Sequence, residues 1–129
     1  MKTISPLKSV LERLHGLSIS AFHFDTTVII TMDGYLDSSD APVLQPALEK
    51  FVTKNPSIEY IIFNLQGLTY IASSGVGLFT YFWSFARQRN GEISFCNIKP
   101  KVKSVLETLG FMPHLKEINA PRESGSRIL

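Results

Sequence analysis

The sequence predicts an α/β fold, in which a mixed four- to five-stranded sheet has helices packed on it and a short N-terminal helix before it. Runs of β-branched and aromatic residues alternate with segments whose apolar residues recur at helical spacing. This alternation is typical of a mostly parallel sheet covered by helices. A tight turn at 25–27 separates the first two strand-like runs, which predicts that these two strands pair antiparallel.

Each predicted element has its own local pattern. Strands are predicted where apolar runs are short or alternate with polar residues, at 18–24, 28–32, 60–63, 93–96 and, as a last edge strand, 114–118. Helices are predicted after the polar segment 38–40, after the junction at 73–75 up to about 90, and from 100 to 109. Pro46 is expected to kink the first of these helices or to delay its start.

The pattern divides the chain into three parts. Residues 1–16 are predicted to form an amphipathic helix, 17–119 a single domain and 120–129 a flexible polar tail. The helix presents one apolar stripe, formed by Leu7, Val10, Leu11 and Leu14. This stripe is expected to cover the core of the domain, and a homodimer seam is the alternative.

Composition argues against several classes of function. The net charge is +2 and the basic residues form no concentrated face, so no nucleic-acid partner is expected. Apolar runs are too short for membrane insertion, and a cytoplasmic protein is expected. The single cysteine, Cys96, excludes an internal disulfide and a cysteine metal cluster. We expect neither a metal nor a cofactor.

The junction at 68–78 carries the functional signal. Ser73, Ser74 and Gly75 stand where a strand-like run changes into a helix-like run. A helix start presents unpaired N–H groups and the positive end of the helix dipole, which favour a bound phosphate. The same position favours serine as an N-cap. The local pattern therefore leaves two interpretations open, a phosphoryl acceptor and a helix cap.

Four segments, taken in order, resemble one family. They are Gly34-Tyr35-Leu36-Asp37; Ile62 to Leu65 with Leu68; Ala72-Ser73-Ser74-Gly75-Val76-Gly77; and Gly91 to Cys96 with Pro100, Val102, Val105, Leu106 and Gly110-Phe111. They resemble the G-x-L-D motif, the strand before the key serine, the D-S-S-G-L-G loop, and the closing strand and helix of STAS domains. This fold occurs in anti-sigma factor antagonists and in the cytoplasmic tail of sulfate transporters. The resemblance covers 18–118 and implies a STAS-like fold for the domain.

The resemblance implies an anti-sigma factor antagonist, a signalling protein that regulates transcription through protein–protein interaction. In that family the first serine of the loop is phosphorylated by an anti-sigma factor with serine kinase activity. The dephosphorylated protein binds this partner and frees the sigma factor, and a phosphatase is the second implied partner. The implied phosphoacceptor is Ser73, with Ser74 as helix cap or alternative acceptor. The implied partner-binding residues are Asp37, Ser38, Ser39, Gly75, Val76, Thr80 and Trp83.

Trp83 has two interpretations. It is either half-buried against a neighbouring helix or an exposed anchor of the interface, since tryptophan is enriched at interaction hot spots.

Ala72 departs from the family pattern, which has an aspartate before the acceptor serine. A carboxylate there could orient the serine hydroxyl or bind the metal–nucleotide complex of the kinase, and alanine can do neither. The alternative function is therefore a non-phosphorylated STAS adaptor subunit of a transporter or signalling assembly.

Two other classes of function have weaker support. The segment 71–75 lacks the first glycine of the G-x-S-x-G nucleophile motif, and the three histidines, at 15, 23 and 114, are expected at the surface. An enzyme is therefore not expected. The loop also lacks the lysine of a phosphate-binding P-loop, which leaves only weak nucleotide binding open.

Overall fold

The computed structural model describes residues 4–121 and 126–128. The elements are α1 (Ile4–Leu11), β1 (Leu17–Phe24), β2 (Thr27–Leu36), α2 (Ala41–Thr53), β3 (Tyr60–Ile71), α3 (Ser73–Gln88), β4 (Glu92–Cys96), α4 (Pro100–Thr108), a 3₁₀ turn (Met112–His114) and β5 (Ser126–Arg127).

The strands form one five-stranded mixed sheet in the order β4-β3-β2-β1-β5. β1 pairs antiparallel with β2, as the short turn predicted, and β2, β3 and β4 are parallel neighbours. The predicted fold class is confirmed, including the short helix that precedes the sheet.

An aromatic cluster joins the sheet to its helices. Phe63 of β3 lies 5.0 Å from Phe79 of α3 and 5.5 Å from Phe95 of β4, measured between ring centroids. Phe79 and Phe95 meet edge to face at 4.9 Å, and Phe111 packs on both from the segment after α4. Such pairs add to the stability that burial provides. The cluster therefore fixes α3 on the two strands that flank it.

β2 and β3 are longer than the sequence pattern predicts. They extend beyond Met32 and Phe63 to Leu36 and Ile71, with register shifts near Gly34. Gly34 has φ +100°, a conformation that glycine adopts without strain. The pairing continues through this irregularity because Leu36 and Ile71 are both buried.

The predicted last edge strand at 114–118 is wrong. Residues 112–114 form a 3₁₀ turn instead, and a single bridge joins Phe95 to Glu117. In this bridge Phe95 N–H donates to the Lys116 carbonyl, and Ile118 N–H donates to the Phe95 carbonyl. The fifth strand comes from the predicted tail, where Ser126 and Arg127 pair antiparallel with β1. The boundaries at 16 and 119 stay a prediction.

The N-terminal helix packs on its own domain. Leu7 is 3% exposed and belongs to the main core, and Leu11 and Leu14 pack against that core from its edge. The apolar stripe therefore covers the domain, as expected.

Asp40 joins the N-terminal segment to the start of α2. Its carboxylate is buried and accepts the His15 N–H at 2.9 Å and the Gly16 N–H at 2.8 Å. It stands at the N-cap position of α2 yet makes no side-chain bond to that helix. The carboxylate thus supplies the acceptor that two main-chain donors need between α1 and β1.

We predict that Asp40→Ala lowers the free energy of unfolding by about 3 kcal/mol, because two N–H donors lose their acceptor inside the protein. Urea unfolding followed by circular dichroism measures this change. Ser39→Ala, at the exposed neighbouring position, is the control and should leave stability within about 0.5 kcal/mol of the parent. A similarly small change in Asp40→Ala would contradict the anchoring role.

Candidate functional site

The candidate site lies at the edge of the sheet where β2 and β3 end. Since these strands are parallel, Leu36 and Ile71 are opposite each other, and the chain enters a helix after each. The Ala72 N–H donates to the Leu36 carbonyl at 2.9 Å, which joins the two strand ends directly. The starts of α2 and α3 therefore lie beside each other, at the edge where ligands and partners commonly bind in α/β sheets.

Ala72 occupies the N-cap position of α3. It is extended, with φ −91° and ψ 171°, and its carbonyl accepts N–H groups from Gly75 at 2.9 Å and Val76 at 3.2 Å. The two serines lie in the first turn, and no side chain caps the helix. The prediction that Ser74 is the helix cap is therefore wrong, since the helix begins at Ser73, two residues earlier than that role requires.

The two serine hydroxyls have opposite environments. Ser73 is exposed at the first position of α3. Ser74 is only partly exposed, and its Oγ is buried without a hydrogen-bond partner. An enzyme acting on this loop can therefore reach the hydroxyl of Ser73 and not that of Ser74 in this conformation.

Asp37 shapes the neighbouring loop. Its Oδ1 accepts the N–H groups of Ser39 and Asp40, both at 3.0 Å, which holds the turn before α2. Ser38 and Ser39 are exposed at the tip of this turn. The structure thus brings Asp37, Ser38 and Ser39 to the same edge as Ser73, as predicted.

Gly75 and Val76 are buried, so the prediction that they contact a partner is corrected. Val76 is 5% exposed and belongs to the main core. A Cβ built on Gly75 would lie 2.7 Å from Ile71 Cγ1 and 2.9 Å from Leu36 Cγ. Glycine is needed here because α3 approaches the ends of both strands closely. These two residues support the loop from beneath.

A groove between α2 and α3 begins next to the loop. It has a volume of about 610 Å³ and is open to solvent. Prolines of α2 form one wall, and the other wall is a helical face of α3 that carries small residues. The lining residues are Ala41, Pro42, Gln45, Pro46, Ser74, Gly77, Thr80 and Tyr81.

Two side chains of this groove are held by hydrogen bonds. Thr80 Oγ1 donates to the Val76 carbonyl at 3.0 Å. The Tyr81 hydroxyl bonds to Glu49 of α2; this bond, and to a smaller extent burial and the negative charge of Glu49, raises the pKa of Tyr81. The tyrosine is therefore neutral at physiological pH.

Sequence reasoning found Thr80 and missed most of this groove. A signal was present in α3, where Ser74, Gly77 and Tyr81 recur at helical spacing. Pro42 and Pro46 have the same spacing in α2, and that α2 faces α3 follows only from the tertiary structure.

Trp83 lies outside this groove. It is partly buried, and its ring centroid lies 4.2 Å from that of His114, after α4. The Arg87 guanidinium lies 4.8 Å from the Trp83 ring centroid. This packing agrees with the half-buried interpretation of Trp83. If Trp83 also anchors a partner, that contact lies on a side of α3 away from the groove.

A comparison with protein families identifies the chain. The family model of the STAS domain matches residues 18–122. The chain belongs to the STAS domain family. The matched segment contains the whole of the edge described above, from the Asp37 turn to the start of α3.

Relatives of this STAS domain carry similar names. It is 26% identical over 112 residues to the anti-sigma F factor antagonist of Paenibacillus polymyxa, a match that covers 84% of this chain and 95% of the relative. BtrV of Bordetella bronchiseptica, named as a candidate anti-sigma factor antagonist, is 31% identical over 88 residues. This match covers 68% of this chain and 74% of BtrV.

Solved structures have the same fold. The anti-sigma factor antagonist SpoIIAA in its unphosphorylated form is 23% identical, with a TM-score of 0.70 over 82% of this chain and 90% of that one. The phosphorylated form of SpoIIAA from Bacillus is also 23% identical, with a TM-score of 0.64 over 82% of this chain and 94% of that one.

The described part of this STAS domain contains neither a metal-binding cluster nor a membrane-spanning helix. In residues 4–121 and 126–128 no group of three or more His, Cys, Asp or Glu side chains is placed to hold a metal ion. No helix of the described segments has the length and apolar character needed to cross a membrane.

We predict opposite effects for the same substitution at two glycines of α3. Gly75→Ala should lower the free energy of unfolding by about 1–3 kcal/mol, because the added methyl overlaps Ile71 and Leu36. Gly77→Ala should raise it by about 0.5–1 kcal/mol, since no atom lies within 4 Å of a Cβ there and alanine favours the helix. Urea unfolding of both variants measures the difference, and a shift of the same sign in both would contradict the packing assigned to Gly75.

Proposed function

We propose that this STAS domain is an anti-sigma factor antagonist whose binding is switched by phosphorylation of Ser73. Its main partner is an anti-sigma factor with serine kinase activity, and a phosphatase restores the binding form. The proposal rests above all on the contrast between the exposed hydroxyl of Ser73 and the buried Oγ of Ser74. The domain acts in this proposal by binding rather than as an enzyme.

The names of the relatives support this choice of function. Both curated relatives are named for antagonism of an anti-sigma factor. The fold neighbour SpoIIAA is known in an unphosphorylated and a phosphorylated form, so this fold accommodates a phosphorylated state.

The start of α3 can accept a phosphate without unfolding. The first turn contains no acidic side chain and no side-chain cap. Its N–H groups before Gly75 have no helical partner, since the Ala72 carbonyl accepts only from Gly75 and Val76. A phosphoryl group on Ser73 adds a charge of about −1.5 to −2 at the positive end of the helix dipole. We therefore expect the modification to leave the domain folded and to change its surface.

Phosphorylation of Ser73 would change the surface at the edge of the sheet where β2 and β3 end, and a partner would dock there. Ser73 is exposed at the same edge as the turn at 38–39, and its neighbour Ser74 lines the groove between α2 and α3. A partner that covers this edge would bury the phosphate, and burial of an unpaired charge costs several kcal/mol. A cost of that size is enough to dissociate a micromolar complex.

Ala72 changes the chemistry of the acceptor loop in a definite way. An aspartate at this N-cap position could accept first-turn N–H groups, and alanine leaves these donors free for a phosphate on Ser73. The kinase in turn has to orient the Ser73 hydroxyl without a carboxylate from this chain. Ala72→Asp should therefore increase the rate of phosphorylation by the cognate kinase.

We predict that Ser73→Glu loses a partner that the parent protein retains. Affinity capture from lysate of the native cells, read by mass spectrometry, compares the parent, Ser73→Ala, Ser73→Glu and Ser74→Ala. A kinase-like anti-sigma factor should bind the parent, Ser73→Ala and Ser74→Ala, and should bind Ser73→Glu at least about tenfold more weakly. Intact-mass analysis of the parent isolated from those cells should show one phosphoryl group, absent from Ser73→Ala.

A partner retained equally by the parent and by Ser73→Glu would contradict the switch. If that partner is a transporter or scaffold subunit, the domain is a non-phosphorylated adaptor, the alternative function for this family.

The docking surface has its own test. Gly77→Arg places a long side chain in the groove, where a Cβ meets no atom within 4 Å, so the melting temperature of the variant should not fall below that of the parent. It should nevertheless lose the anti-sigma factor in the same capture experiment. Gln88→Arg is the matched control, since it adds the same side chain at an exposed position in the last turn of α3. Equal capture by both variants would exclude the groove from the interface.

A further inference from the structure

A second groove lies between α1 and the β1 side of the sheet, at a different place from the acceptor loop. It has a volume of about 560 Å³. Its apolar wall is formed by Leu11 and Leu14 from the N-terminal segment, Leu17 and Ile19 of β1, and Ile128 after β5.

The floor of this groove includes the outer edge of β1. β1 pairs with β2 along its whole length, whereas on its outer side β5 pairs only with Phe22 and His23. One further bond, from the Ile128 N–H to the Ala21 carbonyl at 2.9 Å, extends that pairing by one residue. Within residues 4–121 and 126–128, no segment pairs with the outer edge of β1 beyond Ala21.

The hydrogen bonds of neighbouring residues show which N–H and C=O groups of β1 point away from β2. In an antiparallel ladder, alternate residues direct both N–H and C=O to the same side. The Ala21 carbonyl points outward, to Ile128, and the Gly16 carbonyl accepts the Tyr35 N–H on the β2 side. Ile19 and Leu17 therefore direct their N–H and C=O groups outward, into the groove and in line with β5.

We propose that this groove binds an extended peptide segment of a partner protein, which adds to the sheet as a strand antiparallel to β1. Its main chain pairs with Ile19 and Leu17 and continues the line of β5, in the manner of strand addition at exposed sheet edges. An extended occupant fits this edge because its main-chain groups repeat at the same spacing as the outward donors and acceptors of β1.

The side chains of the groove define the chemistry of the peptide. Residues opposite Ile19 and Leu17 point to the same face of the sheet as those side chains, toward Leu11 and Leu14, so they should be apolar. A peptide residue between the two apolar positions lies opposite Ser18 and points to the other face of the sheet, where Ser18 is exposed, so it should be polar.

The test uses a synthetic peptide, acetyl-Thr-Val-Glu-Val-Thr-amide, and the full chain. A matched control peptide carries methyl groups on both valine nitrogens, which removes the pairing donors and keeps the side chains. Titration followed by NMR should shift the amides of Ile19 and Leu17, and hydrogen exchange at these two amides should slow. The methylated peptide should bind at least about tenfold more weakly, since two main-chain hydrogen bonds are lost.

Three results would overturn the proposal. Equal affinity of the two peptides would mean that the groove takes apolar side chains without strand pairing. No shift of the Ile19 and Leu17 amides at millimolar peptide would mean that the edge is not a binding site. Protection of the same two amides without peptide, rising with protein concentration, would mean that a second copy of this chain is the occupant.

The affinity of the Leu11→Glu variant for the peptide tests the apolar wall of the groove independently. Leu11→Glu places a charge in the apolar wall and should weaken binding of the unmethylated peptide. Because Leu11 also packs against the core, its melting temperature is measured in parallel, and the comparison of the two peptides on the parent protein remains decisive.

Discussion

The parallel pairing of β2 with β3 ends with Leu36 opposite Ile71, and the Ala72 N–H bonds to the Leu36 carbonyl immediately afterward. The site depends on this constraint, because it sets two helix starts side by side at one edge of the sheet. The aromatic cluster around Phe63 and Phe79 then fixes the direction of α3 away from that edge. The loop before α2 and the loop before α3 consequently form one continuous surface.

The N-cap residue Ala72 and the first three residues of α3 each have a different structural role. Ala72 ends the strand and accepts the first helical N–H groups, and Ser73 presents its hydroxyl to solvent. Ser74 turns its Oγ inward, and Gly75 lets the helix approach Leu36 and Ile71 closely. A single exposed hydroxyl on a tightly packed first turn is a surface that can change its charge while the backbone beneath it stays in place. These properties suit a site that is modified and read by another protein.

The N-terminal segment extends the domain on its other side. Asp40 binds the main chain at 15–16 through a buried carboxylate, and Leu7 enters the core. The groove between α1 and β1 lies on this side of the domain, where no segment of residues 4–121 and 126–128 pairs with the outer edge of β1 beyond Ala21.

Much of the fold could be predicted from local pattern. The strand runs, the helical spacing and the short turn between the first two strands indicated a mixed sheet covered by helices, and the order of motifs indicated the family. Local pattern did not predict that β2 and β3 continue beyond Met32 and Phe63. These parts of the strands are rich in polar residues and glycine, and each strand is stabilised there by its pairing with the other. The edge strand predicted at 114–118 was wrong because the chain forms a 3₁₀ turn up to His114, and only a single bridge, between Phe95 and Glu117, joins the following residues to β4.

The sequence by itself determined which residues stand at the acceptor loop, since Ser73, Ser74 and Gly75 follow a strand and begin a helix. Only the tertiary structure decided which of them is accessible. Burial of the Ser74 Oγ, close packing of Gly75 and the groove beside Gly77 all depend on how α3 sits on β2, β3 and α2. The physical reason is that exposure and packing are properties of long-range contacts, and a residue's immediate neighbours in the chain do not specify them.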